Sequence, residues 1–441
     1  MTDTSAGSVS VTDATRRYAL LSFLQWLPVG LTIVPMVLLL LERGFTLAEI
    51  AAIGAVSGVT VAAFELPTGG LADVVGRKPV LVTSALAHAC ALVMLGLATS
   101  VTVLLVSAAL RGLARALSSG PLEAWYVDTV HAGHAPAARE ALDLTWGLAR
   151  GEVAASVALA VGTMAGGLLP LLVKGANLPV PALAIPVLLA ALVEIVRVAV
   201  TLWLPDEPRT ASSLRSTLVA VPAIIGTGVR LAVSNALVLR LLVVGATLGV
   251  ALAAIELVTP GWLGRLSPGS EVAALAYAGL ATAGFAADAV GGMLAPLARR
   301  RLRTAARAAA AATAVVVAGA LGLVAASLVD DAVALAVAAV AYVAFFVGLG
   351  IAGPPMADLL HSQVTSSQRA TVLSVQSLTF QITGAGGAIL SGWLTVRHGP
   401  AAGFAVAAGS LSLALWLLVT MRGRARTSID DPDSPRQASM R

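Results

Sequence analysis

The stretch Phe64-Glu65-Leu66-Pro67-Thr68-Gly69-Gly70-Leu71-Ala72-Asp73-Val74-Val75-Gly76-Arg77-Lys78-Pro79 lies between two long apolar runs. It gathers two acids, two bases, three glycines and two prolines in a chain otherwise poor in charge. A charge in hydrocarbon is costly, so such a cluster marks either a functional group or the edge of a membrane. Glycine allows sharp turns and close approach. Asp73, Arg77 and Lys78 are therefore expected just past the end of an apolar span, in a tight turn at the inner membrane face. Glu65 precedes that turn and receives no role from the pattern.

Working outward, the 441 residues are 58% hydrophobic and only 12% charged. The mean hydropathy of +0.91 points to a lipid solvent, because a soluble chain of this size needs more charge to cover its surface. Apolar runs fall at about 18–41, 47–70, 80–99, 101–127, 141–173, 181–204, 239–258, 272–298, 307–329, 332–356, 370–394 and 402–421. About 20 apolar residues cross a bilayer as a helix. The runs are continuous rather than alternating, which favours helices over a membrane β-barrel. The expected fold is an all-α polytopic membrane protein of about twelve transmembrane helices in two pseudo-symmetric six-helix bundles.

An even span number puts both termini on one side. With that side inward, only Arg43, Lys174, Arg265 and Arg397 fall in outer loops, while Arg16, Arg17, Arg77, Lys78, Arg299, Arg300, Arg301 and most other bases fall inside. This excess is the positive-inside pattern of a cytoplasmic membrane protein. The net charge of +5 thus reads as topology, and no nucleic-acid partner is expected.

The expected organisation is a disordered N-terminus (1–14), a first bundle (15–204), a cytoplasmic linker with an interfacial helix (205–238), a second bundle (239–421) and a disordered tail (422–441). A repeat supports the two bundles. Gly69-Gly70-Leu71-Ala72-Asp73-Val74-Val75-Gly76-Arg77-Lys78 aligns with Gly291-Gly292-Met293-Leu294-Ala295-Pro296-Leu297-Ala298-Arg299-Arg300, each at the end of the second span of its half. Duplicated halves are a transporter architecture with substrate at the midplane. The single cysteine, Cys90, reads as a buried small residue. The chain has no phosphate-binding Gly-x-x-x-x-Gly-Lys-Ser/Thr loop and no nucleophile–histidine set, and its five histidines are scattered. Neither enzyme activity, nor a metal, nor a cofactor is expected.

The order Gly69-x-Leu71-Ala72-Asp73-x-x-Gly76-Arg77-Lys78 resembles the signature of the major facilitator superfamily, as do the twelve-span layout and the degenerate second copy. The resemblance implies secondary transport of a small molecule by alternating access, in a monomer. It implies that Asp73 docks on the start of span eleven, Thr365–Thr371, when the cavity closes to the cytoplasm. It pairs the motif arginine with an acid at the inner end of span four, Glu123 or Asp128. Arg111 matches the family's buried span-four arginine, with Arg115 where a glycine is usual. In span five, Gly162, Gly166 and Gly167 resemble the glycines of the drug exporters' antiporter motif, with Ala158 and Thr163 replacing its first glycine and its proline. That similarity implies proton-coupled efflux of a drug or metabolite; uptake of a small polar or anionic metabolite is the alternative, and a non-transporting membrane sensor a third.

Proton coupling needs an ionisable group that changes state inside the membrane. Burial disfavours the charged form of a carboxyl group and lets it exchange protons. Glu152, Glu256 and Asp288 are the coupling candidates, with Arg111 tuning one of them. Glu194 has Arg197 one helical turn away, which reads as a structural pair. Gln25, Trp26, Gln376 and Gln381, with Tyr277, Tyr342, Phe345 and Phe346, are expected to line a cavity of mixed aromatic and amide character.

Overall fold

The computed structural model describes residues 10–132, 145–204, 226, 230, 234–329, 332–363 and 366–421. The expected linker helix, the tail and most of the expected disordered N-terminus lie outside the described residues. Every regular element among the described residues is a helix: α1 (Val11–Ile33), α2 (Pro35–Glu42), α3 (Leu47–Val75), α4 (Arg77–Leu97), α5 (Val101–Ser118), α6 (Pro121–Ala132), α7 (Thr145–Leu172), α8 (Ala184–Leu202), α9 (Ala236–Leu266), α10 (Ser270–Leu302), α11 (Ala305–Ala326), α12 (Ala332–His361), α13 (Ser366–His398) and α14 (Pro400–Val419).

Side-chain caps set many of the starts. The Ser10 hydroxyl accepts from the Asp13 amide, so α1 begins at Val11, ahead of the expected 15. Thr46 and Glu49 form a capping box at α3, and Asn235 and Thr304 cap α9 and α11. Each satisfies amides that a helix start otherwise leaves unpaired.

Eleven segments among the described residues are long and apolar enough to cross a membrane, α1 with α2 and α5 with α6 each counting as one. Helix α13, 33 residues long, matches them in length but carries Ser374, Gln376, Ser377, Thr379, Gln381 and Thr383. Thr379 and Thr383 donate to carbonyls one turn back, at 2.7 and 2.8 Å, which satisfies their hydroxyls within the helix. The fold is therefore all-α and polytopic, with eleven to twelve membrane-length helices.

The structure corrects two local expectations. Helix α3 continues through Gly69, Gly70 and Asp73 to Val75; the turn is Gly76 alone, with φ of 100°. Span four is not continuous: it breaks at Gly120, φ 92°, and restarts at Pro121 as α6. Both glycines occupy left-handed backbone that a Cβ would strain. A third correction concerns Cys90, which is exposed on α4 rather than buried.

Helices α1–α8 pack mainly on one another, as do α9–α14; α3 against α13 and α7 against α10 join the two sets. One large apolar core spans both sets at the end away from the termini, running from Leu31, Val34 and Leu38 to Val258, Trp262 and Phe404. At the end that carries the termini the cores are separate. Ala14, Leu21, Trp125 and Leu204 belong to the first set alone, and Val238, Leu241, Leu360 and Val372 to the second.

Candidate functional site: a charged cavity between the halves

Between the two sets lies a cavity of about 520 Å³, within the range of small-molecule sites. Helices α1, α2, α3, α4, α5 and α8 wall one side, and α9 and α13 the other. Small residues make the room. On α3, Gly54, Ser57 and Gly58 face it, and on α13, Gly384, Ala385 and Ala388.

The first-half wall carries the bases. Arg111 lies mid-way along α5, and its Nη1 contacts the Met36 sulfur at 2.7 Å. Arg115, one turn on, lies over the Trp26 ring at 4.5 Å. Gln25 of α1 lines the same wall. Among the described residues, the second-half wall carries one acid, Glu256 of α9, with Gln381 of α13. Glu256 sits between buried Ala254, Ile255, Leu257 and Val258, yet its own side chain is exposed into the cavity. Cations thus face one carboxylate across the space.

The other expected residues fall elsewhere. Glu152 is exposed on α7 and Asp288 half-buried on α10, and neither lines the cavity. Gln376 packs near Gly245 of α9, away from it. Tyr277, Tyr342, Phe345 and Phe346 are core residues instead, with Tyr342 and Phe346 ring centroids 4.8 Å apart. Aromatic composition could not separate lining from packing.

At the end that carries the termini, Arg77 Nη2 lies 2.6 Å from Asp128 Oδ2 of α6, while Glu123 is exposed on the same helix. Lys78 Nζ donates to the Leu204 carbonyl at 2.9 Å, past the end of α8. The second-half copy has its own pair, Arg299 Nη2 to Asp358 Oδ2 at 3.8 Å, joining the ends of α10 and α12. The side chains of Asp73 and of Ser366–Thr371, like Thr365 itself, lie outside the described residues. Gly162 and Gly166 seat α7 against α1: a Cβ on either would approach the Leu27 or Leu31 carbonyl within 2.7 Å. Gly167 instead meets Ala274 and Ala278 of α10, across the halves.

Three features escaped the sequence reading. His88 of α4 lines the cavity and its Nδ1 is 2.6 Å from Glu194 Oε1. Arg197 Nε donates to the other oxygen of that carboxylate, also at 2.6 Å, so the acid has two basic partners rather than one. Ser377 of α13 bonds Glu65 of α3. The signal for His88 was present: a histidine inside an apolar span is functional by default. Its partners were not readable, because they lie on another helix.

A family model described as Major Facilitator Superfamily matches residues 18–388. No curated protein matches the chain. The solved structure of nucleoside transporter NupG is similar with a TM-score of 0.76 at 14% identity, covering 93% of this chain and 100% of that one. A bacterial homolog to the human lysosomal transporter Spinster, solved in an inward-facing and unoccupied conformation, gives 0.67 at 16% identity, over 93% of this chain and 94% of that one.

Proposed function

Since the chain belongs to the Major Facilitator Superfamily and is thus a membrane transporter, we propose that it is a proton-coupled exporter of a small organic solute, with the structure in its inward-facing form. The observation that carries this is the charged cavity at the junction of the halves: Arg111 and Arg115 on one wall, Glu256 on the other. A site between two halves becomes accessible from either side as they rock, which is what alternating access requires. The shared core at one end and separate cores at the arginine-rich, terminus-bearing end support opening toward the cytoplasm.

Glu256 is the acid for coupling. A carboxylate in this space holds either a proton or a cationic group of the cargo, so proton entry and cargo exit exclude one another at one group. The largely apolar lining, with Trp26 and Phe380, suits a moderately apolar body. Uptake of a small polar or anionic metabolite is the second reading, favoured by Arg111, whose contact among the described residues is the Met36 sulfur and no carboxylate. On either reading Asp73 serves as an inner latch toward the start of α13, and Asp73→Asn slows transport while binding is retained.

The test is transport by the full chain in proteoliposomes under an imposed pH gradient of either sign. The compounds are an aromatic organic cation such as ethidium, a nucleoside, a dipeptide and an aromatic carboxylate. Cation movement against the proton gradient supports export. Carboxylate movement with it supports uptake. Movement of no compound by the wild type, in either gradient or in exchange, overturns both.

A further inference from the structure

We propose that His88, Glu194 and Arg197 form a second proton-binding site, in the cavity wall opposite Glu256. Its purpose rests on the proton-driven reading above; its existence does not.

The geometry is specific. The Glu194 carboxylate is fully buried, and Arg197 has only 4% of its side chain exposed. Each carboxylate oxygen has its own basic partner, Arg197 Nε and His88 Nδ1. Buried charge persists when it is paired and hydrogen-bonded, and Arg197 already neutralises Glu194. A structural pair would be complete there. The imidazole adds the one group in the cluster whose charge changes near neutral pH. Ser84, one turn before His88, donates to the Ala114 carbonyl at 2.8 Å, holding α4 against α5 and His88 in the wall.

The carboxylate can only accept, so Nδ1–H of the neutral imidazole already donates to Glu194 Oε1. A proton from cavity water binds at Nε2, and the triad gains one positive charge. The other charged groups on the cavity are Arg111 and Arg115 of α5 and Glu256 of α9, with Glu65 of α3 beside Ser119 at its inner edge. Helix α1 brings Gln25 and Trp26, which carry no charge. Glu123 and Asp128 of α6 and Glu152 of α7 stand nearer the inner end. Protonation of His88 therefore adds a third positive charge to a wall that faces a single acid. It repels a cationic cargo from that wall and strengthens the attraction between the halves.

The experiment is histidine nitrogen NMR of the full chain in lipid nanodiscs, with His88→Gln to assign the signal among five histidines. The His88 signal is expected to pass from the neutral to the doubly protonated pattern as the pH is lowered across the range in which the protein stays folded, and Glu194→Gln is expected to move the pH at which it does so. No titration of His88 in that range in the wild type overturns the proposal, and so does an unmoved midpoint in folded Glu194→Gln. If that variant does not fold, the wild-type titration decides alone. Because no cargo is needed, a titrating His88 in a protein that moves no compound would sink the proton-driven reading and leave the site standing.

Discussion

Ser377 Oγ donates a hydrogen bond to Glu65 Oε2 at 2.9 Å, joining α13 of the second half to α3 of the first. Ser119 Oγ approaches the other carboxylate oxygen at 3.5 Å. Glu65, the charge that the sequence left without a role, thus tethers two helices from opposite halves near the edge of the cavity on the side that carries the termini. A hydrogen bond to a charged group contributes about 1.5–3 kcal/mol when sheltered, less where water reaches it. Ser377→Ala should shift the population of this form by on the order of fivefold, about 1 kcal/mol. Pulsed spin-label distances between inner loops of the two halves would show it. An unchanged distance distribution means the bond does not bias the equilibrium.

The Arg77–Asp128 pair predicts a separation of stability from rate. Asp128 has 59% of its side chain exposed, and such pairs contribute about 0–1 kcal/mol. Asp128→Asn should leave the melting temperature in detergent nearly unchanged yet slow transport. The reversed pair, Arg77→Asp with Asp128→Arg, should recover most of the rate lost in either single variant. Failure of the reversal would show that the motif needs the arginine itself rather than the pair.

Helix packing gives a steric prediction. A Cβ at Gly162 would lie 2.7 Å from the Leu27 carbonyl, whereas at Gly386 nothing lies within 4 Å. Gly162→Ala must push α7 from α1 and should destabilise by about 1–3 kcal/mol. Gly386→Ala should be neutral or stabilise by up to about 1 kcal/mol. Thermal melting of both variants compares them directly; equal melting would mean the α1–α7 contact has slack.

The three acids named from the sequence should separate by position. Glu256→Gln, on the cavity, is expected to lower gradient-driven accumulation by tenfold or more while exchange without a gradient persists. Glu152→Gln and Asp288→Asn, off the cavity, should keep at least about half of the wild-type accumulation. Each tenfold loss corresponds to about 1.4 kcal/mol. Full accumulation by Glu256→Gln would remove it from the coupling mechanism.

Much was legible without a structure. Hydropathy set the class, since backbone groups in lipid must be satisfied within helices. The repeat of Gly69–Lys78 at Gly291–Arg300 located equivalent ends of two halves, and both copies carry an arginine–aspartate pair, to Asp128 and Asp358. The span-four arginine was recognisable because mid-membrane charge is rare enough to stand out.

Tertiary structure decided what faces what. Composition gave Glu152, Glu256 and Asp288 equal standing, but only Glu256 projects from its helix into the cavity. Tyr277 and Tyr342 looked like lining and are core. Local periodicity is weak in helices that are apolar on every side, so it could not orient them. Ser377 and His88 lie 312 and 106 residues in sequence from Glu65 and Glu194, the acids they meet. Local pattern fixes which segments enter the membrane; only the packing of distant helices fixes which of their few polar groups meet.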